Sequence, residues 1–167
     1  VAVVDSNENI LNEMYSGEDI CRCVSAADVP VDFDIALVCV PHTMHAKITL
    51  PLLNSGKVVI KEKPLATSIE EANLYNENMN LFTIVQRQFN PMFIKGKEKI
   101  ESIGRIYNYN YSYNLPFAEM TKGWRANFDI SQGGVLLDMG YHVLDILLTY
   151  FGNPTLVESF QSYCYPQ

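Results

Sequence analysis

Two short segments carry ionisable side chains at positions where chemistry is expected. The first is Glu62-Lys63-Pro64, which directly follows the apolar run Val58-Val59-Ile60. Such a run is typical of a buried parallel strand, so the two charges fall at the carboxyl end of a strand. In open α/β sheets this edge is where ligands bind. The segment therefore predicts a functional lysine, and the alternative is a solvated loop.

The second segment is Asp138-Met-Gly-Tyr-His142, which Asp145 extends. On a helix Asp138 and His142 share a face, and Asp145 continues the same stripe one turn further. The neighbouring side chains are mostly aliphatic, and ionisable groups are costly to bury without partners. We expect this row to line a polar site. For His142 alone, a core histidine that holds an Asp is an equal alternative.

A metal site is another interpretation of the same row. Spacing of i, i+4 can place two ligands on one ion, but the sequence offers no evident third strong ligand. Cys21-x-Cys23 is a weak metal pair that the alternating residues of a strand explain better. We therefore predict no metal.

The elements that must position these residues alternate between strand and helix through residue 86. We predict strands at 1–4, 20–24, 35–40, 58–60 and 81–86, and helices at 9–15, 43–55 and 68–79. This order is typical of βαβ units and a parallel sheet. Thr43 is the expected N-cap of the second helix and Gly56 its C′ residue, while Ser68 and Glu71 form a capping box. Pro51 is expected to kink or shorten its helix.

After Arg87 the pattern changes. We predict a helix at 91–102, an antiparallel strand at 105–113 whose tyrosines pack against a helix, a long apolar helix ending near residue 151, and a strand at 156–163. The expected domains are a Rossmann-like doubly wound parallel sheet over 1–88 and the start of an α+β domain with a mixed or antiparallel open sheet over 89–167.

Composition excludes several classes of function. The 167 residues are 48% hydrophobic and 19% charged, which fits a folded globular protein. The net charge is -7 and the basic residues form no stripe, so nucleic acid is not an expected partner. The four cysteines lack a disulfide or zinc pattern, which favours reduced thiols and a cytoplasmic protein.

Residues 135–151 are apolar enough to suggest a membrane span, but they include Asp138, His142 and Asp145. Each Asp near a bilayer centre costs about 2.5 to 3.5 kcal/mol, so a buried functional helix is favoured and no membrane partner is expected. The chain opens with an apolar strand that ends in Asp5, which looks like the middle of a domain. We therefore expect a fragment.

Three further residues lie at predicted strand ends. Pro41-His42-Thr43-Met44-His45 follows the strand before Val58, so both histidines open into the same crevice, where they could donate to a ligand phosphate or simply be exposed. Asp5 ends the first strand, where a ribose hydroxyl is commonly bound in mononucleotide-binding folds.

Together these segments resemble the Gfo/Idh/MocA family, the glucose-fructose oxidoreductase and inositol dehydrogenase group of nicotinamide-dependent enzymes. The resemblance spans nearly the whole chain and rests on Val40-Pro41 with His45, Gly56-Lys57-Val58 leading into Glu62-Lys63-Pro64-Leu65-Ala66, Arg87-Gln88-Phe89-Asn90-Pro91, Trp124-Arg125, and Gly133-Gly134 followed by Asp138-x-Gly140-x-His142-x-x-Asp145.

The resemblance implies a Rossmann domain followed by a substrate domain that often mediates homo-oligomers. It implies that Lys63, Asp138 and His142 are catalytic. It implies dinucleotide contacts from Asp5, Val40, Pro41, His42, His45, Glu62, Lys63, Arg87, Trp124 and Arg125. Asp5 favours NAD over NADP because a carboxylate repels a 2′-phosphate, although NADP stays possible. The family's first strand, its Gly-rich turn and most of its second sheet are expected to be missing from this chain.

The implied reaction is hydride transfer between a nicotinamide and a hydroxyl-bearing carbon of a sugar, polyol or related molecule. His142 would take the hydroxyl proton, Lys63 would stabilise charge on the oxygen, and Asp138 would orient the histidine or bind a neighbouring hydroxyl. The alternatives are a non-catalytic dinucleotide-binding or regulatory protein on the same fold and, less favoured, a metal-dependent hydrolase.

Overall fold

The computed structural model describes residues 1–14, 19–30, 32–75, 78–114 and 123–158. The chain divides into two units, Val1–Ile35 and Ala36–Gln167. In the first unit, β1 (Ala2–Val4) and β2 (Cys21–Cys23) pair in parallel, with Ala2 opposite Cys21. Helix α1 (Glu8–Met14) connects them and buries Leu11. This unit is therefore a small βαβ element, as predicted.

The second unit contains a three-stranded sheet of β3 (Ile35–Val38), β4 (Val58–Glu62) and β5 (Leu81–Ile84), in that spatial order. β4 and β5 are parallel, and Val59 lies opposite Leu81. Helix α2 (His45–Asn54) packs against β4. The buried core consists of Val38, Leu53, Val59 and Tyr75. The central strand therefore delivers its last residues to the carboxyl edge of a parallel sheet, which confirms the predicted fold class.

The ends of α2 show one correct and one wrong prediction. Gly56 has a φ of 78°, and its N–H donates to the Leu53 carbonyl at 2.9 Å while Lys57 N–H donates to the Leu52 carbonyl at 3.1 Å. This is a Schellman motif with glycine at C′, as predicted. Thr43 is not the N-cap, because a 3₁₀ turn at His42–Met44 precedes the helix and satisfies backbone groups locally. The helix also continues through Pro51 instead of ending there.

Helix α3 (Ile69–Tyr75) begins at the predicted capping box. Glu71 N–H donates to Ser68 Oγ at 3.1 Å. The Glu71 carboxylate accepts from both the N–H and the hydroxyl of Thr67, at 2.8 and 2.7 Å, which is one residue further back than in a standard box. The predicted end at residue 79 is too late, since residues 78 and 79 are not helical.

Helix α4 (Pro91–Ser102) has the predicted bounds. Asn90 caps it by accepting from Met92 N–H at 2.9 Å. The helix lies against the helix that carries Tyr150, because Tyr150 Oη donates to the Phe93 carbonyl at 2.7 Å. A Cβ at Gly96 would lie 2.7 Å from the Tyr150 hydroxyl oxygen, so a larger residue at this position would have to displace the tip of the Tyr150 side chain.

The antiparallel strand predicted over 105–113 is wrong, since these residues have no regular secondary structure. Alternation of polar and aromatic side chains sets the faces of a strand, but a strand also needs a neighbour for its backbone hydrogen bonds. Tyr109 instead packs edge-on against Phe151, with ring centroids 5.0 Å apart. Of the strand predicted over 156–163, residues 156–158 are irregular and 159–163 lie outside the described residues.

The last helical segment begins with α5 (Phe128–Ser131). After a bend at Gln132 and Gly133 the chain is helical again, with a π-helical stretch at Leu136–Gly140 that leads into α6 (Tyr141–Phe151), which buries His142 and Ile146. By length and composition residues Asp129–Phe151 could cross a bilayer, a property that core helices of soluble proteins share. The π-helical stretch carries Asp138, so the backbone is irregular at the point where a buried charge must be placed.

Strand β4 also contains a fully buried lysine, Lys61. Its Nζ donates to the Leu65 carbonyl at 2.6 Å and to Tyr75 Oη at 3.1 Å, and it lies 4.6 Å from the centre of the Tyr75 ring. Burial lowers the pKa of Lys61 to about 8, against the opposing charge of Glu71. Burial likewise raises the pKa of Tyr75 to about 12.

We predict that Lys61 makes the free energy of unfolding rise with pH between pH 8 and 10. The unfolded chain keeps this proton up to the ordinary value of 10.5, so in this window it binds more protons than the folded protein. At about 1.36 kcal/mol per pKa unit, the rise is about 2 kcal/mol. Above pH 10.0, the ordinary pKa of tyrosine, Tyr75 has the opposite effect, because its raised pKa makes the free energy of unfolding fall as the pH rises.

The measurement is urea unfolding from pH 7 to 10 for the wild type and for Lys61→Met. The variant should lack the rise. A difference between the two proteins that is the same at every pH would contradict the prediction.

Candidate functional site

The centre of the candidate site is an ion pair between Lys63 and Asp138. Lys63 directly follows β4, and its Nζ donates to the Asp138 carboxylate and, at 2.6 Å, to the Asp138 backbone carbonyl. Both side chains are about nine-tenths buried, at 12% and 10% exposure. The peptide bond between Lys63 and Pro64 is cis. Two residues 75 positions apart are therefore joined by their charges in a largely dry environment.

Asp138 also accepts a hydrogen bond from Arg125 Nε at 3.1 Å. Burial alone would raise the pKa of Asp138, but the hydrogen bonds and charges of Lys63 and Arg125 outweigh it and lower the pKa. Both carboxylate oxygens have cationic donors. This carboxylate is consequently ionised at neutral pH and better suited to hold cations than to accept a proton.

His142 lies one turn further along α6 and is 6% exposed. Its pKa is lowered, first by burial and then by the charges of Arg87 and Lys63. The buried Nδ1 atom of His142 and the buried Oδ2 atom of Asp145 each have no hydrogen-bond partner among the described residues. Burial raises the pKa of Asp145. Because buried polar atoms are nearly always paired, these two atoms fit a hydroxyl-bearing ligand.

The predicted pairing of Asp138 with His142 on one helical face is altered by the π-helical stretch. A π turn is wider than an α turn, so residues four apart no longer lie directly above each other. Asp138 therefore points its oxygens to Lys63 and Arg125. His142 stays within electrostatic range of Lys63 and Asp138, because both charges influence its pKa.

His42 and His45 were predicted either to donate to a ligand phosphate or to be exposed; both are buried, so the exposed alternative is wrong. The Nδ1 atom of His42 lies 2.7 Å from the Ser131 carbonyl oxygen, and its ring meets Trp124 edge-on at 4.9 Å. The ring nitrogens of His45 lie 3.3 Å from the Pro64 carbonyl and 2.9 Å from the Val40 carbonyl.

Burial lowers the pKa of both histidines. In this arrangement His45 links the end of β3 to Pro64, and both its nitrogens face backbone carbonyls. Its contact with a cofactor stays a prediction.

The two predicted arginines stack on aromatic rings. Arg87 Nη2 donates to Tyr113 Oη at 2.7 Å, and the Arg87 guanidinium lies 4.6 Å from the centre of that ring. Arg125 lies 4.5 Å from the centre of the Trp124 ring. Each arginine is thus held in place by an aromatic ring. Arg125 forms an ion pair with Asp138, and the charge of Arg87 lowers the pKa of His142.

The remaining predicted residues occupy strand ends. Glu62 is half-buried at the end of β4, and Val40 and Pro41 follow β3. Asp5 belongs to the first unit, follows β1, and accepts from Asn7 N–H at 2.8 Å. The structure brings Lys63, Asp138 and Arg125 into direct contact.

The roles of all these residues toward a cofactor or substrate stay predictions. Within the described residues, no group of three or more His, Cys, Asp or Glu side chains could hold a metal ion.

Sequence reasoning missed two residues that support the site. Lys61, which lies between the apolar run Val58-Val59-Ile60 and the motif, was not singled out, although in a strand it shares a face with Val59 and is therefore expected to be buried. Tyr141 accepts the Leu65 N–H through its hydroxyl at 3.3 Å, and no local pattern indicated this contact.

Two family models match this chain. Residues 1–79 match the oxidoreductase family with an NAD-binding Rossmann fold, GFO_IDH_MocA, and residues 95–167 match the GFO/IDH/MocA C-terminal domain. Among curated relatives, Oxidoreductase P35 of Formosa agariphila is 27% identical over 91% of this chain and 52% of its own length. The scyllo-inositol 2-dehydrogenase (NADP(+)) IolW of Bacillus subtilis is 28% identical over 74% of this chain and 36% of its own length.

Solved structures agree on the fold. The WlbA dehydrogenase of Bordetella pertussis, in complex with NADH and UDP-GlcNAcA, has a TM-score of 0.75 at 22% identity and covers 91% of this chain and 47% of that protein. A levoglucosan dehydrogenase in complex with NADH and levoglucosan has a TM-score of 0.69 at 25% identity, covering 90% and 44%. The chain spans about half the length, or less, of these proteins.

We predict that Asp138→Ala lowers the free energy of unfolding by about 3 kcal/mol, because it leaves the buried Lys63 ammonium without its ion partner. The measurement is chemical denaturation at pH 7. The double variant Lys63→Met/Asp138→Ala is the control. It should lose less than the sum of the two single variants, since no unpaired ammonium remains. Strictly additive losses would show that the two side chains are not energetically coupled.

Proposed function

We propose, from the premise that this chain belongs to the Gfo/Idh/MocA family of oxidoreductases, that the complete protein is an NAD-dependent dehydrogenase. Its substrate would be a sugar, a polyol or a related small molecule with an oxidisable hydroxyl group. The observation that carries the proposal is the buried Lys63–Asp138 ion pair within electrostatic range of His142, whose Nδ1 has no hydrogen-bond partner in the part of the chain that the structure describes. Relatives are named for inositol, levoglucosan and glucoside substrates.

His142 is proposed as the group that takes the proton of the substrate hydroxyl. Its lowered pKa leaves the imidazole neutral at pH 7, so a ring nitrogen can accept a proton. The positive charges of Arg87 and Lys63 that lower this pKa also disfavour the protonated ring. In the reverse reaction, the reduction of a carbonyl group, the instability of the protonated ring helps His142 return the proton to the carbonyl oxygen.

Lys63 is proposed to stabilise the negative charge that develops on the substrate oxygen. An ammonium group has three donors, and Asp138 takes two of them through its carboxylate and its backbone carbonyl. One donor remains for a substrate oxygen. Asp138 thus fixes the direction of the Lys63 ammonium in a buried position, which is the preorganisation that electrostatic catalysis needs.

The cofactor would be NAD, which when bound accepts or supplies the hydride. The residues proposed to hold it include Asp5 and the segment Val40–Pro41, which follow parallel strands where dinucleotides bind. The Asp5 carboxylate suits a ribose with two free hydroxyls and repels a 2′-phosphate. His142 and Asp145 would meet the substrate, since each has a buried polar atom without a partner among the described residues.

We further propose that the domains divide at residue 88, into 1–88 and 89–167, and that the protein is cytoplasmic and forms homo-oligomers. Neither nucleic acid nor a membrane is a proposed partner. The composition and the family support these proposals.

We predict that His142→Ala lowers turnover by about 100-fold or more, the usual contribution of a general base. The measurement is NADH formation by the complete protein with a panel of sugars and polyols. His142→Asn, which keeps a donor of similar size but accepts no proton, should be equally slow. The acid limb of kcat/KM in the wild type should lie below 6.5, because the lowered pKa keeps the base free down to that pH.

Near-normal turnover of His142→Ala would remove the assigned role. Binding of NAD without turnover of any substrate in the panel would favour a non-catalytic dinucleotide-binding protein.

We predict that Asp5→Ser reduces the preference for NAD over NADP by about tenfold, equivalent to about 1.4 kcal/mol of lost repulsion. Dissociation constants of both dinucleotides for the complete protein provide the measurement. Asp19→Ser, which removes an exposed acid from the same unit, is the matched control and should leave the ratio unchanged. An equal ratio in the wild type and Asp5→Ser would refute the role of Asp5.

A further inference from the structure

The short segment Lys63-Pro64-Leu65, called here the Lys63 turn, is held by side chains from three different elements. His45 of α2 contacts the Pro64 carbonyl at 3.3 Å. Tyr141 at the start of α6 accepts the Leu65 N–H at 3.3 Å. Lys61 of β4 donates to the Leu65 carbonyl at 2.6 Å, the shortest of the three contacts. The backbone that carries Lys63 is therefore fixed on both sides.

Lys61 differs from the other two residues because it holds the turn from inside the sheet. It is fully buried two residues before Lys63, and β4 alternates so that Val59 and Lys61 share the core face. The Lys61 side chain is long enough to reach the backbone carbonyl of Leu65, four residues later in the sequence. The second contact of its ammonium, with Tyr75 Oη at 3.1 Å, anchors it in the core.

Core packing alone does not account for a lysine at this position. A buried cation stabilises a fold less than an apolar side chain of similar volume, because desolvation of the charge opposes its contacts. The Leu65 carbonyl, however, needs a donor that no shorter side chain on β4 could bring to it. A part-buried carbonyl left without a donor is unfavourable, so without Lys61 the turn would rearrange toward another donor.

We propose that Lys61 is a positioning residue, which through the Leu65 carbonyl fixes the Lys63 turn so that the Lys63 ammonium points at Asp138. Lys61 itself touches neither substrate nor cofactor. The catalytic consequence rests on the proposed dehydrogenase function, whereas the positional consequence does not. The two can therefore be tested separately.

The positional test is lysine-selective ¹³Cε NMR of the complete protein, with the Lys63 signal assigned from Lys63→Arg. Lys61→Met should move the Lys63 signal toward that of exposed lysines, because the ion pair with Asp138 is displaced. Tyr75→Phe is the matched variant: it removes the other hydrogen bond of the same ammonium but leaves the Leu65 contact, so the Lys63 signal should stay. Lys95→Met, an exposed lysine on α4, controls for the loss of a charge.

The catalytic test is the kinetics of the same variants. Lys61→Met should lower kcat by about 10- to 100-fold, the effect of a misplacement of about 1 Å, with the Kd for NAD changed less than twofold. Tyr75→Phe should keep kcat. If the protein has no dehydrogenase activity, the proposed function fails, and the NMR result still decides the role of Lys61.

The proposal is overturned if Lys61→Met leaves the Lys63 signal in place, or if Tyr75→Phe moves it equally, since that would indicate general loosening of the core. Should Lys61→Met not fold, Lys61→Gln carries the same test. Its amide is uncharged, keeps a donor for the core and is one bond too short to reach Leu65 as lysine does.

Discussion

The ion pair between Lys63 and Asp138 is the constraint on which the rest of this structure depends. A buried carboxylate is tolerated only with cationic partners, and Asp138 has two, Lys63 and Arg125. To meet them, the edge of a parallel sheet, the 3₁₀ turn at Gly123–Ala126 that carries Arg125, and the π-helical stretch must come together. The pair therefore determines which elements of the second unit are adjacent at the candidate site.

Burial and nearby charges, that of Lys63 among them, set the protonation of His142. Arg87 and Lys63 lower the pKa of a ring that burial already disfavours as a cation, so the imidazole is neutral where it would be needed as a base. Asp138 is kept ionised by the cations that it holds. The two side chains thus have different roles because their environments differ. The Asp138 carboxylate is fully paired with cationic donors and positions Lys63, whereas His142 is free to accept a proton.

Local signals in the sequence predicted those parts of the fold that depend on local chemistry. Gly56, the Ser68–Glu71 capping pair and the bounds of α4 follow from residues within a few positions of each other. The strand over 105–113 was wrong because side-chain alternation does not reveal whether a partner strand lies alongside. The burial of His45 was also missed, since its partners at Val40 and Pro64 come from different segments.

The motif residues were easier to find than the residues that hold them. Lys63 and Asp138 stand out because charges interrupt apolar surroundings, but their direct contact across 75 positions depends on the π-helical stretch, which no helical periodicity predicts. Lys61 directly precedes the motif Glu62-Lys63-Pro64 and was hidden by it, since a lysine beside Glu62 and Lys63 looks like one more surface charge. Strand alternation implies the opposite: if Val59 is in the core, Lys61 must be there too, and a cation in the core needs an acceptor. The Leu65 carbonyl is that acceptor, which is why the core of the sheet and the position of Lys63 are not independent.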